Sequence, residues 1–318
     1  MLLTRRASLF ALAGAGVLSV ASCAGMAETS QVESHPEDVG VLVMAHGGAP
    51  LWNSEVQAML APLAKDYPLE LAFGMAEAAS LQEGVTKLEA RGAKRIAVVR
   101  LFISGESFLE RTEQILGLAP GAEPPSDEHA GHGDHGTAGG HSMALWRIET
   151  TSSFAISQQG LAEAPEMGAV LAERIRPLSK DPAKESVLVL AHGPGDDAEN
   201  DRWLKMIDQR AEAVRRVAPF RRVQAETLRE DWPEKRVASE ARIRAFVEAA
   251  SRDGGRAIVL SYRVSGFGPY ANVLKGLDYV ADTKGLLPSA EVEHWVRRQV
   301  KELAAGQFRT PHHAHDAA

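Results

Sequence analysis

The feature that most constrains this chain is a strand-like run that occurs twice. Val41-Leu42-Val43-Met44-Ala45-His46-Gly47-Gly48 returns as Val187-Leu188-Val189-Leu190-Ala191-His192-Gly193-Pro194. Each copy is a continuous apolar run, rich in β-branched residues and closed by glycine, which is the pattern of a strand buried on both faces of a parallel sheet. Each run stops at Ala-His-Gly, so each histidine falls where the strand ends and the chain turns. In open α/β sheets ligands gather outside the carboxyl ends of strands. An imidazole at that place is aimed at a cleft, and two related strands can aim two of them at the same one.

The surroundings repeat too. Pro50 and Asn53 follow His46, Pro194 and Asn200 follow His192, and a helical pattern comes after each pair. The run Arg95–Gly105 matches Arg256–Gly266, and both read as strands ending in Ser-Gly. A repeat of this length implies two half-domains of one topology related by a pseudo-twofold axis. The length of 318 residues fits this, at about two domains by the usual prior.

Reading onward, strands are expected at 41–45, 69–73, 95–103 and 144–150 in the first half, and at 187–191, 222–227 and 257–264 in the second. Helices are expected at 54–65, capped by Asn53, and at 80–91, with Ser80 and Glu83 as a capping box. Further helices are expected at 107–116, 165–176, 200–217, 234–252 and 269–280, with a last one capped by Ser289. Strands alternating with helices mean βαβ units and parallel sheets.

The amino terminus reads as a targeting signal. Arg5-Arg6 precedes an apolar stretch from Leu9 to Ala21, too short to span a bilayer. Thr4–Phe10 resembles a twin-arginine export signal. Val20-Ala21-Ser22-Cys23 resembles a bacterial lipobox, whose cysteine is lipidated after cleavage. The alternative is an ordinary secretory signal with an incidental cysteine. Cys23 is the only cysteine, so neither an internal disulfide nor a thiolate metal site is available. The expected division is therefore 1–23 signal, 24–38 tether, 39–117 with 143–178 first lobe, 118–142 histidine-bearing insertion, 186–306 second lobe and 307–318 tail. The expected location is the periplasm or the outer surface of a bacterial membrane, with a lipid anchor at Cys23. A net charge of −7 and the lack of a basic stripe with interleaved aromatics argue against nucleic-acid binding.

Four pieces in order carry a family resemblance: Val41–Gly48 with Asn53, Leu71–Glu77, Leu81–Val85 and Val98–Gly105. Over residues 41 to about 117 the chain resembles the sirohydrochlorin cobaltochelatase family, the small CbiX-like class II chelatases. A weaker copy runs from about 187 to 280. The resemblance implies an α/β fold with two similar chelatase-like, flavodoxin-like lobes of parallel sheets, and a tetrapyrrole between them. It implies insertion of Co(II) or Fe(II) into a sirohydrochlorin-type macrocycle, with His46 and His192 as metal ligand and base. The family's second histidine lies in a Gly-x-His after the third strand. Here that position reads Gly105-Glu106-Ser107 and Gly266-Phe267-Gly268.

The residues themselves suit that chemistry. Neutral imidazole binds Co, Fe and Ni, and its unperturbed pKa near 6.5 lets it move a proton at neutral pH. Glu77 or Glu106 can take a second proton or keep the metal exchangeable; Glu106 and Ser107 also fit a helix cap. A strand-end histidine that only bonds its own loop is the alternative for each histidine singly. His129, His132, His135 and His141 form a low-complexity, metal-collecting segment. His312, His313 and His315 are the same device or a frayed end, and His294 is structural. Ala45-His46-Gly47-Gly48 resembles an esterase oxyanion loop, but no Gly-x-Ser-x-Gly elbow occurs. Two further readings stay open: a non-enzymatic exported metal- or tetrapyrrole-binding lipoprotein, and a solute-binding lipoprotein of a transporter.

Overall fold

The structure, a computed structural model, describes residues 38–124 and 145–312. Strands β1 (Val39–Ala45), β2 (Leu69–Phe73), β3 (Arg95–Leu101) and β4 (Ser153–Ile156) pair in the order β2-β1-β3-β4. Strands β5 (Glu185–Ala191), β6 (Arg222–Thr227), β7 (Arg256–Ser261) and β8 (Tyr279–Asp282) pair in the same order, β6-β5-β7-β8. All six pairings are parallel. Both central strands are buried along their whole length. Their side chains alternate between two cores, as the two-residue period of a strand requires. Val41, Val43, Ala45, Val187, Val189 and Ala191 point into one shared core. Leu42 and Met44 point into a second cluster, and Leu188 and Leu190 into a third. The chain is thus an α/β protein of two similar lobes with parallel sheets.

Helices α1 (Pro50–Leu60), α2 (Ala78–Ala90), α3 (Leu109–Ile115), α4 (Glu166–Ile175), α5 (Asp197–Val217), α6 (Pro233–Ala250), α7 (Tyr270–Val273) and α8 (Ala290–Ala304) cover the sheets. Leu81, Val85 and Leu88 of α2 and Ile115 of α3 close the outer face of the first sheet. Ile243, Phe246 and Val247 of α6 do the same for the second. The inner faces meet in one core, filled by Val56 and Leu60, Met167 and Val170, Trp203 and Ile207, and Trp295 and Val296. Each such side chain contributes about 1.5–3 kcal/mol by burial, and this shared core joins the two lobes. The last helix crosses between lobes. It packs on β3, β4 and α4, while α4 packs on α5 and β7. Trp295 Nε1 donates to Gln159 Oε1 at 3.1 Å, and Arg298 pairs with Glu166 at 2.7 Å. The expected boundary at 186 therefore separates the sheets but not these two helices.

Other departures have local causes. The fourth strand lies at 153–156 rather than 144–150. The backbone N–H groups of Ile148 and Glu149 are taken by the Ile115 carbonyl and Gln82 Oε1, so that stretch has no sheet to join. Helix α1 starts at Pro50, whose fixed φ suits a first turn. Asn53 then falls inside the helix and accepts from Gly48 N at 3.0 Å instead of capping. The capping box at α2 does not form: the helix starts at Ala78, Ser80 Oγ donates to the Glu77 carbonyl, and Glu83 pairs with Lys87. Helix α3 starts at Leu109, after Phe108 takes a left-handed conformation. Asp196 rather than Asn200 precedes α5 and caps Glu199 N, while Asn200 accepts from Thr227 Oγ1. The helix expected at 269–280 is one turn. Gly276 turns the chain at φ +82°, and Tyr279–Asp282 becomes β8. Ser289 caps α8 as expected.

Candidate active site

Each sheet reverses its direction of growth between its first and third strands, and a crevice opens at such a switch point outside the carboxyl ends. His46 follows β1 and His192 follows β5, at equivalent switch points. Gly47 and Gly193 turn the chain behind them at φ +76° and +78°, a backbone conformation that glycine adopts without strain. Both histidines line one cleft of about 800 Å³. The first lobe presents Trp52, Met75, Phe102, Ile103 and Phe108 to it. The second presents Glu199, Glu230, Asp231 and Arg263, with Trp203 and Trp232.

The two rings are held alike. Nδ1 of each lies 3.2 Å from the carbonyl of the glycine that follows. A carbonyl only accepts, so Nδ1 carries the hydrogen, and in the neutral ring the lone pair is left on Nε2. His46 is exposed and His192 half-buried. Burial pushes the His192 imidazole below the ordinary histidine range, although Glu230 and Asp231 pull the other way. Its ring meets Trp203 edge-on at 4.9 Å. The indole Nε1–H of Trp203 donates to Glu199 Oε1 at 3.1 Å. Burial, together with the negative charge of Glu106, pushes the Glu199 carboxyl up. Arg263 donates to both carboxylate oxygens of Glu230, at 2.7 and 2.6 Å.

Glu106 lines the cleft and forms a two-pronged pair with Arg202 of α5, at 2.8 and 2.7 Å. The loop that carries Glu106 hangs on Arg100, which is 1% exposed. Its guanidinium donates to the carbonyls of Gly105, Ser107 and Ser157. Burial lowers the Arg100 pKa to about 10. The floor behind is tied across the lobes: Tyr262 Oη donates to the Leu161 carbonyl at 3.0 Å, and Leu161 N donates to Phe102.

The sequence-predicted residues divide as follows. His46 and His192 come together in one cleft. Glu77 is half-buried at the start of α2, its carboxylate beside Gly74, and is not among the cleft-lining residues. Ser107 lines the cleft, but as a carbonyl acceptor in the loop before α3 rather than as its cap. His294 is exposed and lies 3.6 Å from Glu291. His312 N donates to the Gly117 carbonyl. His129, His132, His135, His141, His313, His315 and Cys23 lie outside the described residues. Among the described residues, no group of three or more His, Cys, Asp or Glu could hold a metal ion. Sequence reasoning missed Arg100, Glu199, Glu230 and Arg263. The available signal was an arginine inside, and another just after, an otherwise apolar third-strand run.

Comparison with known proteins bears on part of this geometry. Residues 40–132 match the CbiX family model. The CbiX match takes in β1 through α3, with His46, and ends before the second lobe. No curated protein matches the chain. Three solved structures share the fold. SirB from Bacillus subtilis with Fe3+ is 17% identical, with a TM-score of 0.60 over 86% of this chain and 99% of that one. The sirohydrochlorin chelatase SirB from Bacillus subtilis subspecies spizizenii in complex with cobalt is 15% identical, with a TM-score of 0.55 over the same shares. DR2241 from Deinococcus radiodurans, a multi-domain protein with structural similarity to chelatases, is 18% identical, with a TM-score of 0.50 over 85% of this chain and 55% of that one. The two-lobed chelatase-like fold thus extends beyond the CbiX-matched segment.

Proposed function

We propose that this chain inserts a divalent metal ion, Co(II) or Fe(II), into a sirohydrochlorin-type tetrapyrrole. The observation that carries the reading is that His46 and His192, at equivalent strand ends of two lobes, line one cleft with an aromatic wall. The CbiX match and the likeness to SirB support the same reaction class. A flat macrocycle packs against Trp52 or Phe108, and Phe102, 4% exposed and tilted 56° from Phe108, backs that wall. The metal arrives from solution and leaves in the product, so its protein ligands must be few and exchangeable. The described residues hold no cage of three acidic, histidine or cysteine ligands, which suits a passing ion. As the ion takes the ring nitrogens, two pyrrole N–H protons depart. Both imidazoles hold the arriving ion through Nε2, and one of them, freed as the ion passes to the ring, accepts a proton there. Glu199, its carboxyl raised by burial, takes the second proton. Glu77, outside the cleft lining, is not assigned this step.

The reading extends to the parts that carry no site geometry. The amino terminus exports the protein and Cys23 anchors it by a lipid, while His129, His132, His135 and His141 gather Co, Fe or Ni for the cleft. The alternative is a non-enzymatic metal- or tetrapyrrole-binding lipoprotein of chelatase descent. The non-histidine residues at Gly105-Glu106-Ser107 and Gly266-Phe267-Gly268 favour it. Purified protein with Co(II) or Fe(II) should accelerate the spectral change of sirohydrochlorin over the uncatalysed rate, and His46→Ala or His192→Ala should lower that acceleration by about 10²–10⁴-fold. No acceleration, with metal binding retained, selects the binding protein. Cell fractionation of Cys23→Ser tests the anchor.

A further inference from the structure

The loop that carries His192 is held from behind by the turn after β6, and every carbonyl from Ala191 to Gly195 has a donor. Leu228 N donates to Ala191 at 2.9 Å and Glu230 N to His192 at 3.2 Å. His192 Nδ1 takes the Gly193 carbonyl. Arg229 takes the next two: Nε donates to Pro194, and Nη2 to Gly195 at 2.5 Å. The same Nη2 meets Asp197 Oδ1, at the start of α5, at 2.8 Å. Lys235 Nζ reaches that oxygen and the Gly195 carbonyl, each at 2.7 Å. Arg229 is 6% exposed and stands at φ +57°, a left-handed conformation that a residue other than glycine keeps only where its surroundings demand it. The first lobe has no such fork. Ala45 pairs with Phe73 as Ala191 pairs with Thr227, and Gly74 N donates to Ala45 as Leu228 N does to Ala191. Met75 thus stands where Arg229 stands, and its thioether has no N–H to give.

From this juxtaposition we infer that Arg229 is a positioning residue for metal capture: its fork on the Pro194 and Gly195 carbonyls sets the Gly193 carbonyl, and through it the orientation and tautomer of His192. With the His192 and Pro194 carbonyls both held, the peptide between them cannot swing. Its oxygen stays against Nδ1, and Nε2 meets the ion already aimed. Outer partners that fix a ligating imidazole in this way raise metal affinity without touching the metal. The inference rests on the reading of His192 as a ligand and adds the residue that presets it.

Two measurements on the full chain test this. Co(II) affinity is read by calorimetry for the wild type, Arg229→Gln, His192→Ala and the double variant. Arg229→Gln should lower it about tenfold or more in the wild-type background, and by less than about twofold where His192 is already alanine. A residue that only held the fold would act alike in both backgrounds. Long-range 1H–15N spectra of the metal-free chain, with the His192 ring assigned by its loss in His192→Ala, should show the Nδ1–H tautomer in the wild type and a mixture in Arg229→Gln. Where Arg229→Gln lacks the wild-type circular dichroism, Arg229→Lys replaces it; lysine keeps a charge beside Asp197 but not the fork, and should lose about threefold by the same cycle. Equal losses in the two backgrounds, no loss in either, or an unchanged His192 tautomer overturns the inference and leaves the metal reading standing. A wild type that binds no Co(II) ends the metal reading and the inference together.

Discussion

Where the first lobe places Phe102 at the cleft, the second places Arg263; the runs Arg95–Gly105 and Arg256–Gly266 put these residues at matched positions. The same divergence recurs after the second strand of each sheet. The turn after β2 offers Met75 to the cleft, and the turn after β6 offers Glu230 and Asp231. The lobes therefore keep a common skeleton, while the second brings most of the cleft's charge and the first, Glu106 apart, a mainly apolar lining. Burial explains which parts stayed alike. Strands β1 and β5 are enclosed on both faces and tolerate little but branched aliphatic residues. The loops beyond their ends carry no such constraint, and side chains there vary with chemistry.

One structural task is solved differently in each lobe. In the first, Arg100 donates to the Gly105 carbonyl; in the second, Ser261 Oγ donates to the Gly266 carbonyl at 2.7 Å. The arginine also holds Ser107 and Ser157, so the lobes should differ sharply in sensitivity. Arg100→Ala strands the carbonyls of Gly105 and Ser157, which are buried, and of Ser107, which is half-buried, and should cost about 3–5 kcal/mol, whereas Ser261→Ala should cost about 1 kcal/mol. Chemical denaturation of both variants checks this, and equal losses would break the contrast.

The turns behind the histidines sharpen it further. A methyl on Gly193 would sit 2.6 Å from Thr227 Cβ, and one on Gly47 3.1 Å from Phe73 Cβ. Both positions also have positive φ. Gly193→Ala should therefore lose about 2–4 kcal/mol and Gly47→Ala about 1–2 kcal/mol, read from the same denaturation curves.

A smaller effect, in pH, singles out the second lobe. Burial holds the folded His192 pKa below its unfolded value near 6.5. The folded state thus binds that proton less well than the unfolded chain. The contribution is fully present above about pH 6.5 and is lost as pH falls through the lower, folded pKa. Stability measured downward from pH 7 should fall with a proton-linked slope that His192→Gln reduces. An unchanged slope in that variant would contradict the assignment.

Much of this arrangement was legible in the sequence, for a physical reason. The duplicated Val41–Gly48 and Val187–Pro194 runs name two buried parallel strands, because only such strands need uninterrupted apolar residues that stop at glycine. The placing of His46 and His192 at sheet ends follows from those runs. The exchange of α4 and α8 between lobes was not legible, since amphipathic helices record that they are covered but not by what. Nor were the carboxylates of Glu199 and Glu230, whose roles depend on the fold bringing α5 and the β6–α6 turn to one opening. The capping positions of Asn53 and Ser80 misled, because Pro50 and the Glu77 turn start those helices earlier than their side chains suggest.

The central claim is that one imidazole from each lobe addresses the same ion. Co(II) affinity of the wild type, His46→Ala, His192→Ala and the double variant, measured at one pH by calorimetry, tests it as a double-mutant cycle. If one ion is shared, each single change should remove most of the affinity that the double change removes, a clear departure from additivity. Independent, additive losses, or a single variant that binds Co(II) as the wild type does, would contradict it.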